Sequence, residues 1–159
     1  MTIKTGDKIP AASLRVMTAE GPREKTTADI FDGKKVVLFA VPGAFTPGCS
    51  NTHVPGYVVH FDDIIAKGVD TVACVSVNDA FVMGAWSNAQ NAEHLLMLAD
   101  GNGEFTAALG LEMDGSGFGL GTRSQRFAMI VDDGTVTDIA IDAAGEFGAT
   151  SAESVLEKL

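Results

Sequence analysis

Apolar and polar positions fall into blocks whose period changes along the chain. Residues 36–41 are an uninterrupted run of Val, Leu, Phe and Ala, short and β-rich enough to predict a strand buried on both faces. Residues 70–77 (DTVACVSV) predict a second such strand, and residues 95–98 a third. Residues 126–131 and 135–141 flank Asp132-Asp133-Gly134, a β-hairpin signature. Upstream, residues 1–35 predict an irregular lead-in with a short strand near 12–17, a turn at Glu20-Gly21-Pro22 and one helical turn near 28–31.

Elsewhere the period is helical. In residues 49–67, Val54, Val58, Phe61 and Ile65 recur at i, i+4, i+7 and i+11, which predicts one apolar helix face. Pro55 inside that face predicts a kink or a lost backbone bond, and Gly68 an end. Asn78-Asp79 is a good start for a helix over 81–91 that carries Trp86, and residues 104–109 predict a short helix before Gly110. Residues 115–121 (GSGFGLG) read as a flexible loop presenting Phe118 and Leu120. Thr150 with Glu153 reads as a capping box that opens a last helix to Leu159. Strands and helices alternate first, and a hairpin plus a helix comes last. That order predicts a single α/β domain over residues 1–159, a central mixed sheet with helices on both faces, and a thioredoxin-like layout fits it.

Charge narrows the partners. The 159 residues carry 11 Lys and Arg against 21 Asp and Glu, a net charge of −10, which repels nucleic acid phosphate and anionic membrane. No window approaches the roughly 18 apolar residues of a membrane span, and MTIKTGDKIP has no apolar signal core. Two cysteines are too few for a disulfide scaffold, so a reducing cytoplasm is the expected setting.

The candidate chemistry centres on Cys49. A Pro42-Gly43 break ends the 36–41 strand, and Thr46-Pro47-Gly48-Cys49 reads as a helix start with Thr at the N-cap and Pro at the first helical position. Free N–H groups and the positive end of the helix dipole stabilise an anion there, and thiolate is the reactive form of cysteine. The bland alternative is a small buried hydrophobe. Cys74, mid-strand among valines, reads as packing; as a resolving thiol it would need its Cα within about 7 Å of that of Cys49. His53 stands four residues after Cys49, which raises a Cys–His protease pair, but nothing marks a third group to orient the imidazole. It reads instead as a polar side chain near the site or at a subunit contact. His60 and His94 show no partner spacing, and without CxxC or HExxH no metal is expected. The 115–121 loop lacks the P-loop and dinucleotide-binding patterns. Arg126, at the head of an apolar strand, is either a solvated strand end or a cation aimed at a site.

These residues also carry a family likeness. Pro42-Gly-Ala-Phe-Thr46-Pro-Gly-Cys49 matches the pattern P-x-x-x-T-x-x-C, followed by Ser50 and Thr52-His53-Val54-Pro55-Gly56. With CVSVNDAFVMGAW, LADG, GLGTRSQRF, VDDG and the ending GEF…SAESVLEKL, the chain resembles the type II, peroxiredoxin-5-like peroxiredoxins over nearly its whole length. The resemblance implies a thioredoxin fold, no metal or organic cofactor, and a homodimer. It also implies a thiol peroxidase acting on hydrogen peroxide and organic hydroperoxides. Cys49 matches the peroxidatic cysteine, Thr46 and Pro42 its motif partners, and Arg126, before Phe127, the active-site arginine. Gly48 would contribute an N–H to the substrate, and Phe118 and Leu120 an apolar mouth. Residues 142–159 hold no cysteine, unlike relatives with a C-terminal resolving thiol, and Cys74 matches a strand cysteine of plant and bacterial members. Recycling by glutaredoxin and glutathione, or by thioredoxin, is the expectation. The competing reading is a peroxide sensor that relays its oxidation to a partner protein.

Overall fold

The computed structural model describes residues 2–159. Strand β1 (Ser13–Thr18) turns into β2 (Gly21–Thr26), and helix α1 (Thr27–Phe31) leads to β3 (Lys35–Ala40). A π-helical turn, Cys49–His53, runs into α2 (Val54–Val59) and α3 (Phe61–Ala66). Then come β4 (Thr71–Ser76), α4 (Ala80–Ala89), β5 (Leu96–Ala99) and α5 (Glu104–Leu109). Short strands β6 (Glu112–Asp114) and β7 (Thr122–Ser124) flank a 3₁₀ turn at Ser116–Phe118. The chain continues through β8 (Arg126–Asp132), β9 (Thr135–Asp142) and α6 (Ala152–Leu156).

Seven strands form one sheet in the order β2-β1-β5-β4-β3-β8-β9. β3 pairs parallel with β4 and β4 with β5, while β8 and β9 run antiparallel on the other side of β3. The period-2 geometry of a strand sorts each run onto two faces. Val37, Phe39, Val41, Val72, Cys74 and Ile130 pack with α2, α3, α4 and α6. Val36, Leu38, Ala40, Val75, Met129 and Val131 pack with α1 and α5. A mixed sheet with helices on both faces is the expected architecture, and the continuous apolar runs are explained by burial on both sides.

Three expectations are corrected. β2 was read only as a turn; its sequence, GPREKT, has no apolar face because it is the sheet edge. The 49–67 helix does not simply kink at Pro55. Its first turn widens to π, with the Val54 amide donating to the Cys49 carbonyl five residues back, and the helix breaks again at His60. Pro55 has no N–H to donate and its ring clashes with the carbonyl four residues earlier, so a wider turn before it relieves both. Finally, Ser151 rather than Thr150 caps α6, accepting from the Ser154 amide. The Thr150 hydroxyl is instead donated to Asp142 at 2.6 Å.

Candidate active site

β3 delivers the chain to Pro42, and a tight turn carries it to the π-helical segment. Asn78 Oδ1 accepts from the Ala44 amide at 2.9 Å, and Phe45 adopts a left-handed φ of 66°. Gly43 lets two side chains approach closely: a Cβ there would lie 2.9 Å from Arg123 Nη1 and 3.2 Å from Thr46 Cγ2, so the Arg123 guanidinium would have to shift. The Ser50 amide donates to the Thr46 carbonyl at 2.9 Å, so the helix starts at Thr46 as the sequence predicts. The Thr46 hydroxyl, however, does not cap it. It lies 2.7 Å from the Gly43 carbonyl and 2.9 Å from Cys49 Sγ.

Arg126, first residue of β8, donates from Nη2 to Cys49 Sγ at 3.2 Å. The hydroxyl and the guanidinium therefore converge on one sulfur. Cys49 itself is buried, and Pro42, Thr46, Gly48 and Arg126 line an open cleft of about 580 Å³, with Phe118 and Leu120 among its further lining. Phe118 is 87% exposed, so it presents its ring to solvent. Two other clefts, of about 590 and 700 Å³, are lined by neither Thr46 nor Arg126, the two partners of the Cys49 sulfur, so chemistry rather than size marks the site.

Cys74 does not line the cleft. It lies mid-strand beside Phe39 of β3, fully buried, and both cysteines are free thiols. Burial first, then the neighbouring Cys49, pushes its thiol well above the ordinary range, against a smaller opposing pull from Arg126.

His53 is the residue that sequence reasoning undervalued. Its Nδ1 lies 2.6 Å from Arg126 Nη1, and its Nε2 lies 3.1 Å from the Thr150 carbonyl. Burial and then the Arg126 charge press its pKa down to about 3, so the ring is neutral at physiological pH. The i+4 spacing from Cys49 was the visible signal. The carbonyl partner, nearly a hundred residues away, was not. Phe147 packs edge-on against His53 at 5.0 Å and under the Arg126 guanidinium at 5.7 Å. Arg123, also missed, donates to the Leu120 carbonyl at 3.0 Å and reaches the Pro42 carbonyl at 3.5 Å, tying the glycine-rich loop to the cleft floor.

A mixed sheet that presents a helix-start cysteine to a guanidinium and a hydroxyl defines a thiol redox protein of the thioredoxin-like class. The redoxin family profile matches residues 4–156. Peroxiredoxin-2E-2, chloroplastic, of Oryza sativa subsp. japonica is 49% identical over 99% of this chain and 73% of its own. Reduced Prx3 of Vibrio vulnificus, solved in complex with H2O2, is 56% identical and superposes with a TM-score of 0.96 over 99% of each chain. Peroxiredoxin 5 of Alvinella pompejana is 38% identical, with a TM-score of 0.86 over 98% of this chain and 96% of its own. The chain belongs to the redoxin family, as a type II peroxiredoxin of thioredoxin fold, a family of thiol peroxidases.

Proposed function

We propose that the chain reduces hydrogen peroxide and organic hydroperoxides through a sulfenic acid on Cys49. The observation that carries this reading is the convergence of Arg126 Nη2 at 3.2 Å and Thr46 Oγ1 at 2.9 Å on Cys49 Sγ. The Cys49 thiolate attacks the nearer peroxide oxygen, an S–O bond forms, and the O–O bond breaks. The departing oxygen leaves with the electron pair and takes a proton to become water or an alcohol. Arg126 and Thr46 donate to the sulfur in the ground state and to the developing charge in the transition state, with the Gly48 N–H as a further donor. Pro42 covers the sulfur against bulk water.

A reducing thiol then attacks Cys49–SOH, expelling water and leaving a mixed disulfide; a second thiol releases the Cys49 thiol and departs as the disulfide. Glutaredoxin and glutathione are the proposed source, since residues 142–159 contain no cysteine and Cys74 is buried mid-strand. Cys74 is proposed as packing, the cytoplasm as the setting and a homodimer as the working form.

An NADPH-coupled assay with glutaredoxin and glutathione or with thioredoxin tests the scheme. Turnover by wild type and Cys74→Ser, and none by Cys49→Ser, is expected. Full activity of Cys49→Ser would refute it. The apolar mouth is tested by replacing Phe118 and Leu120 together with Ser: activity should fall more on bulky hydroperoxides than on hydrogen peroxide, and equal losses would remove that role.

A further inference from the structure

Asp142 ends β9 directly opposite Arg126 in the strand register. Opposite charges in that position ordinarily pair, yet no Asp142 oxygen lies within 4 Å of the guanidinium nitrogens. The carboxylate is occupied elsewhere. Its Oδ1 accepts from the Ala149 amide at 3.1 Å; its Oδ2 accepts from the amides of Gly148 and Thr150 at 3.1 and 3.2 Å and from the Thr150 hydroxyl at 2.6 Å. One buried side chain thus gathers the 148–150 turn and fixes the direction of the Thr150 carbonyl.

That carbonyl accepts from Tyr57 Oη at 2.8 Å and from His53 Nε2 at 3.1 Å. A carbonyl can only accept, so Nε2 must carry the hydrogen of the neutral ring, an assignment made from the network. Nδ1 is then a bare lone pair, and Arg126 Nη1 donates into it at 2.6 Å. The same guanidinium reaches the sulfur with its other terminal nitrogen. A neutral acceptor aims the cation without cancelling its charge.

We propose that Asp142 is a positioning residue for the peroxidase site: by fixing the Thr150 carbonyl it sets the tautomer of His53, and through His53 the aim of Arg126 at Cys49. The kinetic half of this claim rests on the function proposed above; the tautomer half does not.

The experiment uses Asp142→Ala, the milder Asp142→Asn, His53→Leu, and each Asp142 change combined with His53→Leu, in full-length protein checked for folding by circular dichroism. The rate of Cys49 oxidation by hydrogen peroxide is measured together with the ¹⁵N chemical shifts of the His53 ring. Each Asp142 variant should slow oxidation by about tenfold or more, the scale of a misaimed catalytic group. In the His53→Leu background the same change should cost under about twofold, because residues acting through one another are not additive. The wild-type ring should show one protonated Nε2 and one bare Nδ1, and Asp142→Asn should mix the two tautomers. If Asp142→Ala does not fold, Asp142→Asn decides. Additive kinetic losses, or an unchanged His53 pattern in a folded variant, would overturn the proposal. A wild type that oxidises no cysteine with peroxide would refute the proposed function instead, and the ¹⁵N pattern would still judge the Asp142–His53 link.

Discussion

The Thr46 hydroxyl has one hydrogen and two acceptors within reach, the Gly43 carbonyl and Cys49 Sγ. With a protonated thiol, the sulfur donates to Oγ1 and the hydroxyl donates to Gly43; with a thiolate, the hydroxyl hydrogen turns to the sulfur. Thr46→Val removes this donor and should lower the rate constant with peroxide by about 10²-fold, close to 2.7 kcal/mol of transition-state stabilisation. Thr46→Ser should keep most of it, and equal losses in the two variants by stopped-flow would exclude the hydroxyl. Arg126→Lys keeps the charge but loses the fork that bonds sulfur and imidazole at once, so it too should be slow. At this scale Cys49 was legible from its place at a helix start, whereas Thr46, Pro42 and Arg126 became legible only through the family resemblance, since by itself Arg126 read equally well as a solvated strand end and Thr46 as a plain cap. Asp142 and Thr150 were not, since an Asp ending a strand and a Thr before a helix have ordinary local readings. The capping-box reading of Thr150 failed because α6 starts one residue later, capped by Ser151, while the Thr150 hydroxyl turns to the Asp142 carboxylate, a partner that only folding brings near.

The π-turn is the element that sets the sulfur's direction. Were Pro55 replaced by Ala, a hydrogen-bond donor would return and the turn could tighten to α, rotating Cys49 relative to Arg126. Pro55→Ala should therefore oxidise more slowly, by about tenfold or more for a displacement of this kind, without loss of helicity. Peroxide stopped-flow and far-ultraviolet circular dichroism check the two halves. The apolar period of residues 49–67 showed that a helix would form and which face it would bury. It could not show the change of pitch, because one inserted residue leaves the hydrophobic stripe nearly intact. The hairpin around Asp133 and Gly134 was fully legible: both adopt positive φ, 48° and 79°, as an Asp-Gly turn of the primed kind demands.

Across the whole molecule, the uninterrupted apolar runs marked strands buried on both faces, whereas the polar edge strand β2 left no pattern to read. Burying a neutral His53 also ties stability to pH. Its folded pKa of about 3 lies below the 6.5 of an exposed imidazole, so between these values the unfolded chain binds more protons than the folded one. Stability is therefore complete above about pH 6.5 and falls as pH drops through that window, by up to about 1.4 kcal/mol per unit. Asp142 adds to the loss at the acid end. Burial disfavours its charge, but the Thr150 hydroxyl and the amides of Gly148, Ala149 and Thr150 outweigh it and lower the pKa, so its contribution fades as pH falls below the ordinary carboxylate range. Urea unfolding from pH 7 to pH 4 should show this slope, and His53→Leu should flatten it. An unchanged slope in that variant would place the acid sensitivity elsewhere.

The most direct measurement is chemical: reduced protein is mixed with one equivalent of hydrogen peroxide, the product is trapped with dimedone, and the modified peptide is identified by mass spectrometry. A sulfenic acid adduct on Cys49, with Cys74 unmodified, is the expected result. Peroxide consumption with no adduct at Cys49, or with the adduct on Cys74, would contradict it.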